Sequence, residues 1–452
     1  MSRDTLPREE LRLPEQHASV ERPAEGHVPE TPPPAPTPAA HVPLLTLFSL
    51  THLIVDAYAT TVPALLPFWQ ARFGLSYGLA GSITAIANVT SSVAQPVVGL
   101  ITERGRDARW VALACAVSAV GIGLTGLAPS FPVFLALVVV GGLGVSAFHP
   151  QGYKLVGVYA GARPAVATSW FLVGGNVGVA VGPIAGTAAA VAFGPSGTAA
   201  LIPAGLLMAG ALLWLVPRWT RAPRVASAAP AAPAASAAGA GTIVTEAPAA
   251  PATPVPPPAV AGLSLTRRTW AIVTLVAIVA LRSTVSGVLT SFVPLYYVDV
   301  VGAPATEGSR VLAGMLLIGA VGTVAGGYLA ERAGRMPVLA VSLALTPPLV
   351  LLFLALPPGS AQAVAALWAA GAMLTASFSL TVVLAQELWF ERRALASGVI
   401  VGFAFGLGGL LVPLFGAVAD RQGLTAAFQL VAIVPLLALG LTGVLVLLLR
   451  PR

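Results

Sequence analysis

His52 and Asp56 are the pair of residues whose types and spacing most directly suggest chemistry. They lie four positions apart in an apolar stretch, so a helix would place both on one face, within hydrogen-bonding or ion-pairing reach. A carboxylate in a partly dry environment holds its proton more tightly and a nearby cation loosens it, while histidine titrates near neutral pH. The pair therefore predicts a proton-coupling site. The alternative is that it only ties one helix to a neighbour.

Arg282 is a second ionisable residue in the middle of an apolar stretch. A charge inside hydrocarbon is costly unless it faces a cavity or a partner, so its presence suggests function. The planar guanidinium suits a carboxylate, phosphonate or phosphate group of a substrate. It could equally neutralise Asp56. The residues alone leave both interpretations open.

Other polar or amphipathic side chains interrupt the apolar stretches. We predict that the proton-coupling group includes Glu387, and that substrate contacts come from His149, Gln151, Trp170, Asn176 and Gln386. Three of these have simpler explanations: a bend at His149-Pro150, space filling by Trp170 and a hydrogen bond between helices for Asn176.

The elements that must position these residues follow from composition. Only 9% of the 452 residues are charged, 56% are hydrophobic and the mean hydropathy is +0.87, whereas a soluble domain is about a quarter charged. Twelve stretches have the roughly 20 apolar residues that a spanning helix needs. We therefore predict an all-α integral membrane protein with twelve transmembrane helices at 43–69, 78–101, 110–128, 131–153, 165–193, 198–216, 269–296, 309–330, 336–356, 360–389, 394–418 and 425–449.

Charge distribution predicts the orientation. The pI is near 10.2, but most of the 24 Lys and Arg residues flank the even-numbered connections and the C-terminus. This positive-inside asymmetry predicts a multi-pass protein of the cell (plasma or inner) membrane with both termini in the cytoplasm. It also removes the main argument for nucleic-acid binding, so we predict no nucleic-acid partner.

Low-complexity segments and a repeat divide the chain. We predict a disordered cytoplasmic tail at 1–42, six-helix bundles at 43–216 and 269–449, and a cytoplasmic Pro/Ala-rich linker at 217–268. The motif GLITERGR from Gly99 returns as GYLAERAGR from Gly327, at an offset of 331−103 = 228. A second pair, Arg163…Pro183 and Arg393…Pro413, repeats at an offset of 393−163 = 230. Both copies run in the same direction, which predicts a parallel pseudo-twofold repeat.

These two turn motifs resemble the signature of the major facilitator superfamily. The resemblance implies that spans one, four, seven and ten line a central cavity, and that one half rocks against the other. It also implies that the cytoplasmic turns stabilise the inward-closed arrangement through Glu103, Arg104, Glu331 and Arg332.

A closer similarity is to the fosmidomycin-resistance-like branch of that superfamily. It is carried by the motifs HLIVD from His52, FHP from Phe148, GGNVGVAVGP from Gly175 and FVPLYYV from Phe292. In the superfamily, a glycine-proline signature like Gly178, Gly182 and Pro183 is associated with exporters that exchange substrate for protons, so the resemblance implies antiport and a gating role for these residues. The alternative is close packing of small residues between helices.

No enzyme signature competes, because the chain has neither a phosphate-binding Gly-rich loop with Lys nor histidines at metal-ligand spacing. We therefore predict that the protein is not an enzyme and has no cofactor or metal. The predicted function is secondary active transport, with proton-coupled efflux of a small anionic or amphipathic compound such as an antibiotic or metabolite. Its partners are that substrate, protons and the lipid bilayer. The alternatives are a proton-coupled uptake symporter for an organic acid and a non-transporting receptor or scaffold.

Overall fold

The computed structural model describes residues 40–92, 94–95, 108–220 and 263–450, and the regular structure within these ranges is entirely helical. Eleven of its helical segments are long and apolar enough to cross a membrane. One further helix, Tyr77–Ser92, begins where the second predicted span begins, and the rest of that span lies outside the described residues. The twelve are α1 (Val42–Ala64), α2 (Tyr77–Ser92), α3 (Ala108–Leu127), α4 (Phe131–Tyr159), α5 (Pro164–Phe193), α6 (Pro195–Thr220), α7 (Leu265–Asp299), α8 (Ala305–Ala333), α9 (Arg335–Ala355), α10 (Ala361–Leu388), α11 (Leu395–Gln422) and α12 (Leu424–Leu449).

Three predicted spans are less regular than the sequence suggests. The first bends at Leu65, between two prolines that lack a backbone N–H, and continues as the short helix Leu66–Phe73. The tenth is interrupted at Ser377 without a proline. The eleventh contains a π-helical turn at Val399–Ala404 and a second interruption at Leu411. Such irregular turns often mark functional positions in membrane helices.

The predicted repeat is visible in how the helices pack. A Cβ on Gly178 of α5 would lie 2.2 Å from the Leu53 carbonyl oxygen of α1. A Cβ on Gly408 of α11 would lie 2.6 Å from the Ser283 Cβ of α7. Since 178+230 = 408 and 53+230 = 283, the offset read from the sequence relates equivalent contacts in the two halves.

Among the described residues, the apolar core joins the two halves mainly toward one end. We call the end with the start of α1 and the finish of α12 the inner end, and the opposite end the outer end. One cluster of buried residues joins both halves at the outer end and includes Trp69 and Phe292. Toward the inner end the core divides, with one cluster around Phe48 confined to the first half and another around Leu275 confined to the second. Within the described ranges, one buried apolar cluster therefore joins the halves toward the outer end, and the inner-end clusters are separate.

Polar contacts between the halves also lie at the outer end. Asp420 at the end of α11 accepts hydrogen bonds from the backbone N–H groups of Tyr77 (2.6 Å) and Gly78 (3.0 Å), at the start of α2. The Tyr77 hydroxyl donates to Asp299 of α7 at 2.9 Å. A carboxylate at a helix N-terminus satisfies orphan donors and complements the helix dipole. These residues form an outer latch.

Substituting Asp420 by asparagine is expected to loosen the outer latch, because the amide keeps the size of the side chain but loses its charge. Spin labels at the exposed positions Ser196 and Gln422 would report the distance between the halves by pulsed electron resonance. The single cysteine, Cys115, is buried and leaves little background labelling. We expect the variant to populate longer distances. An unchanged distance distribution would show that apolar packing alone holds the outer end closed.

The predicted domain limits are not addressed by these contacts. Residues 1–39 of the tail and 221–262 of the linker lie outside the described residues. The boundaries at 43–216 and 269–449 therefore stay predictions.

Candidate functional site

Three titratable side chains from α1 and α4 meet in the first half. Asp56 Oδ2 lies 3.2 Å from His52 Nε2, and Asp56 Oδ1 lies 3.2 Å from His149 Nε2. The exposed fractions of the side chains are 3% for His52, 14% for Asp56 and 19% for His149. The i, i+4 spacing accounts for the first contact, and α4 supplies the second. We call these residues the triad.

Backbone carbonyls orient both imidazoles of the triad. His52 Nδ1 lies 2.9 Å from the Phe171 carbonyl oxygen, and His149 Nδ1 lies 2.9 Å from the Val145 carbonyl oxygen. A ring nitrogen that faces a carbonyl must carry a proton to make a favourable contact. Each Nε2 is therefore the ring nitrogen that faces the Asp56 carboxylate. Two such nitrogens face one carboxylate, and the arrangement is favourable when at least one of them holds a proton.

The walls of the triad come from Phe171 and from two residues, Phe148 and Gly175, that the sequence marks only as the first residues of family motifs. The Phe171 ring stacks on His52 with centroids 4.1 Å apart, and the Phe148 ring lies 5.5 Å away. A Cβ on Gly175 would lie 2.6 Å from His52 Nε2 and 2.8 Å from Asp56 Oδ2. The backbone of α5 therefore closes directly over the triad. Only the motif beginning at Gly175 signalled this in the sequence.

The triad could also hold a divalent cation, since its ligand atoms lie within 4.8 Å of one another. Imidazole and carboxylate groups suit several first-row metals. A cation and a proton would occupy the same position, so a measurement of proton coupling requires a chelator.

Arg282 lies in the second half with a different environment. Its side chain is 2% exposed, and Nη1 donates to the Leu374 carbonyl oxygen of α10 at 3.3 Å. The guanidinium carbon lies 5.3 Å and 5.6 Å from the ring centroids of Phe378 and Phe405. In the described part of the chain, Nη2 has no hydrogen-bond partner and no carboxylate pairs with the guanidinium. Asp56 pairs with the two histidines, so neutralisation of Asp56 by Arg282 is not observed.

The two charged centres occupy matching places in the repeat. Adding the offset to His52 gives 52+230 = 282, and adding it to Phe148 gives 148+230 = 378. His52 lies beside Phe148, and Arg282 lies beside Phe378. The repeat thus places a carboxylate with two imidazoles in one half and a guanidinium at the equivalent place in the other.

The remaining predicted substrate residues of the first half differ in exposure. Gln151 is buried on α4 at 2% exposure. The Trp170 side chain is 53% exposed, and the ring that contacts the triad belongs to its neighbour Phe171. Asn176 is exposed on α5, and both its substrate role and its alternative role as a hydrogen bond between helices stay predictions.

Gln386 and Glu387 lie near the inner end of α10, apart from the triad. Gln386 Nε2 donates to Ser397 Oγ at 2.7 Å, which ties α10 to α11. Glu387 pairs with Arg335 at the start of α9, with 2.5 Å between Oε2 and Nη1. The proton-coupling role of Glu387 and the substrate role of Gln386 stay predictions.

The predicted gating residues fall into two groups. Glu331 and Arg332 are exposed at the inner end of α8, where Arg332 lies over the Tyr328 ring at 4.1 Å. Their counterparts Glu103 and Arg104 lie outside the described residues. Exposure of Glu331 and Arg332 is expected when the inner ends of the two halves are apart.

The glycines of α5 contact the backbone of α1. Cβ atoms on Gly178 and Gly182 would each lie 2.2 Å from an α1 carbonyl oxygen, and Pro183 follows within the same helix. This is the close packing that the alternative interpretation of the glycine-proline signature predicts. A gating role for the three residues is compatible with it and stays a prediction.

Comparison with protein families gives a match to the model described as Major Facilitator Superfamily over residues 47–413. The chain is 31% identical over 402 residues to the uncharacterized MFS-type transporter YfnC of Bacillus subtilis (strain 168), covering 88% of this chain and 91% of that protein. It is 29% identical over 397 residues to the fosmidomycin resistance protein of Escherichia coli (strain K12), with the same coverage of 88% and 91%.

Solved structures share the fold at low sequence identity. A bacterial homologue of the human lysosomal transporter Spinster, in an inward-facing and unoccupied conformation, superposes with a TM-score of 0.67 at 16% identity, covering 90% of this chain and 97% of that one. The nucleoside transporter NupG gives a TM-score of 0.64 at 12% identity, covering 90% of this chain and 100% of that one.

Proposed function

The chain belongs to the major facilitator superfamily, so it is a multi-pass membrane transporter and not an enzyme, and we propose that it exports a small anionic or amphipathic compound in exchange for protons. The observation that carries the proposal is the triad, in which Asp56 faces two imidazoles whose Nε2 atoms can each hold a proton. The relative named for fosmidomycin resistance supports the export direction.

Proton exchange in this proposal takes place at the triad. In the inward-facing state the triad releases its proton to the side where the two halves are apart. The substrate then binds along the same opening, with contacts from Arg282 and from the predicted residues His149, Gln151, Trp170, Asn176 and Gln386. Glu387 is proposed as an additional proton-coupling group.

Alternating access in this proposal comes from rocking of the two halves. The outer latch of Tyr77, Asp299 and Asp420 breaks as the inner end closes. At the inner end, the turns that carry Glu103, Arg104, Glu331 and Arg332 then come together. In this proposal the protein lies in the inner membrane and both of its termini are in the cytoplasm. The arrangement with the inner ends of the two halves apart is then the inward-facing state.

Proton coupling can be tested with the purified full-length protein in proteoliposomes that contain a pH-sensitive dye and a chelator. Fosmidomycin is a reasonable first probe because of the relative's name, and a panel of organic anions extends it. We expect an imposed proton gradient to drive the probe against the direction of proton flow. Flux of the probe in the same direction as the protons would overturn the export proposal.

A second candidate, uptake of an organic acid with protons, is favoured by the buried Arg282, which has no carboxylate partner among the described residues. An anion on Arg282 and a proton on the triad neutralise two opposite charges and would favour each other's binding. Charge movement separates the candidates, because exchange of a proton for an anion carries net positive charge inward. Entry of a monoanion with one proton carries none. No observation favours a non-transporting receptor or scaffold.

A further inference from the structure

The interruption of α10 creates a helix N-terminus inside the second half. The chain turns at Ser377, and the 11-residue segment Phe378–Leu388 follows. Ser377 is fully buried, yet its hydroxyl neither caps this segment nor bonds to any other described residue. A buried hydroxyl without a partner is costly. Both the hydroxyl and the positive end of the helix dipole are therefore available to a group with negative charge.

Arg282 reaches the same interruption from α7. Its Nη1 donates to Leu374, three residues before Ser377, and its guanidinium lies 5.3 Å from the ring of Phe378, the first residue after it. Its Nη2 has no partner within the described ranges, although the side chain is only 2% exposed. A buried cation that lacks a counter-charge is strongly unfavourable, and an anion would remove this penalty.

We propose that Arg282, the Ser377 hydroxyl and the N-terminus of Phe378–Leu388 form an oxyanion subsite, which binds a carboxylate, phosphonate or phosphate group of the transported compound. The inference rests on the proposed transport function and assigns the anionic end of the substrate to the second half. Nη2 and the hydroxyl each donate a hydrogen bond to the oxyanion, and the helix dipole adds favourable charge.

Two aromatic rings cover the guanidinium. Phe378 and Phe405 are half-buried and meet edge to face, with centroids 5.5 Å apart. By excluding water they lower the local dielectric constant, which strengthens the attraction between guanidinium and oxyanion. They also offer an apolar surface to the rest of the substrate. The subsite therefore selects an anionic group attached to an apolar body over a neutral polar compound.

A purely structural role for Arg282 would consist of its bond to Leu374, which ties α7 to α10. That role needs one donor and can be filled by lysine. The subsite needs the second donor of the planar fork and the serine hydroxyl as well. Substitutions at Arg282 and Ser377 therefore separate the two roles.

The test is calorimetric titration of the purified full-length protein with inorganic phosphate, methylphosphonate and acetate at constant ionic strength. We expect Arg282→Lys and Ser377→Ala each to weaken anion binding at least tenfold. The first matched control is Arg310→Lys, at an exposed arginine of the outer end. The second is Ser360→Ala, at the serine that caps the start of α10. We expect both controls to bind like the parent protein.

Anion binding that is absent from the parent protein, or unchanged in both site variants, would overturn the subsite. If Arg282→Lys does not fold, as judged by thermal unfolding, Ser377→Ala decides the question. Proton-coupled flux measured on the same preparations keeps the two proposals apart. If the site variants bind anions like the parent protein and proton coupling is intact, the subsite is wrong and the proposed function stands. If the site variants lose anion binding but the parent protein itself shows no proton-coupled flux, the subsite stands and the proposed function is wrong.

Discussion

Replacing Asp56 by asparagine is expected to abolish proton-coupled transport and to leave the protein folded. Asparagine has nearly the same shape as aspartate, and its amide oxygen can still accept a hydrogen bond from an Nε2–H of His52 or His149. It carries no charge and cannot take up a proton, so the triad loses the carboxylate that faces both imidazoles. In proteoliposomes, flux driven by a proton gradient should fall to the level of empty vesicles.

Exchange of labelled for unlabelled substrate needs no net proton movement, so we expect the Asp56→Asn variant to retain it. The matched control is Glu307→Gln, at a carboxylate of the outer end whose side chain is 48% exposed, and it should couple normally. A variant that still concentrates substrate in response to a proton gradient would show that the proton is carried elsewhere, with Glu387 as the next candidate.

Adding a single methyl group at Gly178 is expected to destabilise the protein by about 1–3 kcal/mol, the usual cost of overpacking. The new Cβ would lie 2.2 Å from the Leu53 carbonyl oxygen. This oxygen is part of the α1 backbone and cannot rotate away, so the two helices must separate. Unfolding of Gly178→Ala in mixed detergent measures the free energy. Transport should fall with it, because the displaced α5 also carries Gly175, which closes the triad.

Gly210→Ala is the control for this prediction. Gly210 lies in α6 and has open space around its Cβ position, so the same substitution should leave the free energy of unfolding unchanged or raise it by up to about 1 kcal/mol. Equal effects at Gly178 and Gly210 would mean that α1 and α5 accommodate the added methyl group without a cost in stability.

The contact between His52 and Asp56 shows what local spacing can predict. Two residues four apart on a helix meet whatever the rest of the chain does, and the structure has them 3.2 Å apart. The apolar length of each span and the offset of 230 are local or internal properties of the same kind. The helical spans and the family resemblance were therefore accessible from the sequence, and both are confirmed.

The partners of these residues were less accessible. His149 was singled out for its polarity, but its contact with Asp56 depends on how α4 packs against α1. Phe171 passed unnoticed because an apolar ring is ordinary in a membrane helix, and Gly175 was named only as the start of a family motif. Asp420 was missed for a similar reason, since an acid near the end of a span looks like a solvated residue until α2 is seen to begin beside it.

The amino-acid sequence by itself determined that the chain crosses a membrane about twelve times, that its halves repeat and that ionisable groups lie within its spans. These properties depend on residue type and on spacing along a helix, which are set within about 20 residues. Only the tertiary structure decided that Asp56 is shared by two histidines, that Arg282 has no carboxylate beside it among the described residues, and that the halves join at the outer end. Each of these depends on contacts between helices that are distant in sequence, and a helix with a weak apolar stripe can present several faces to its neighbours.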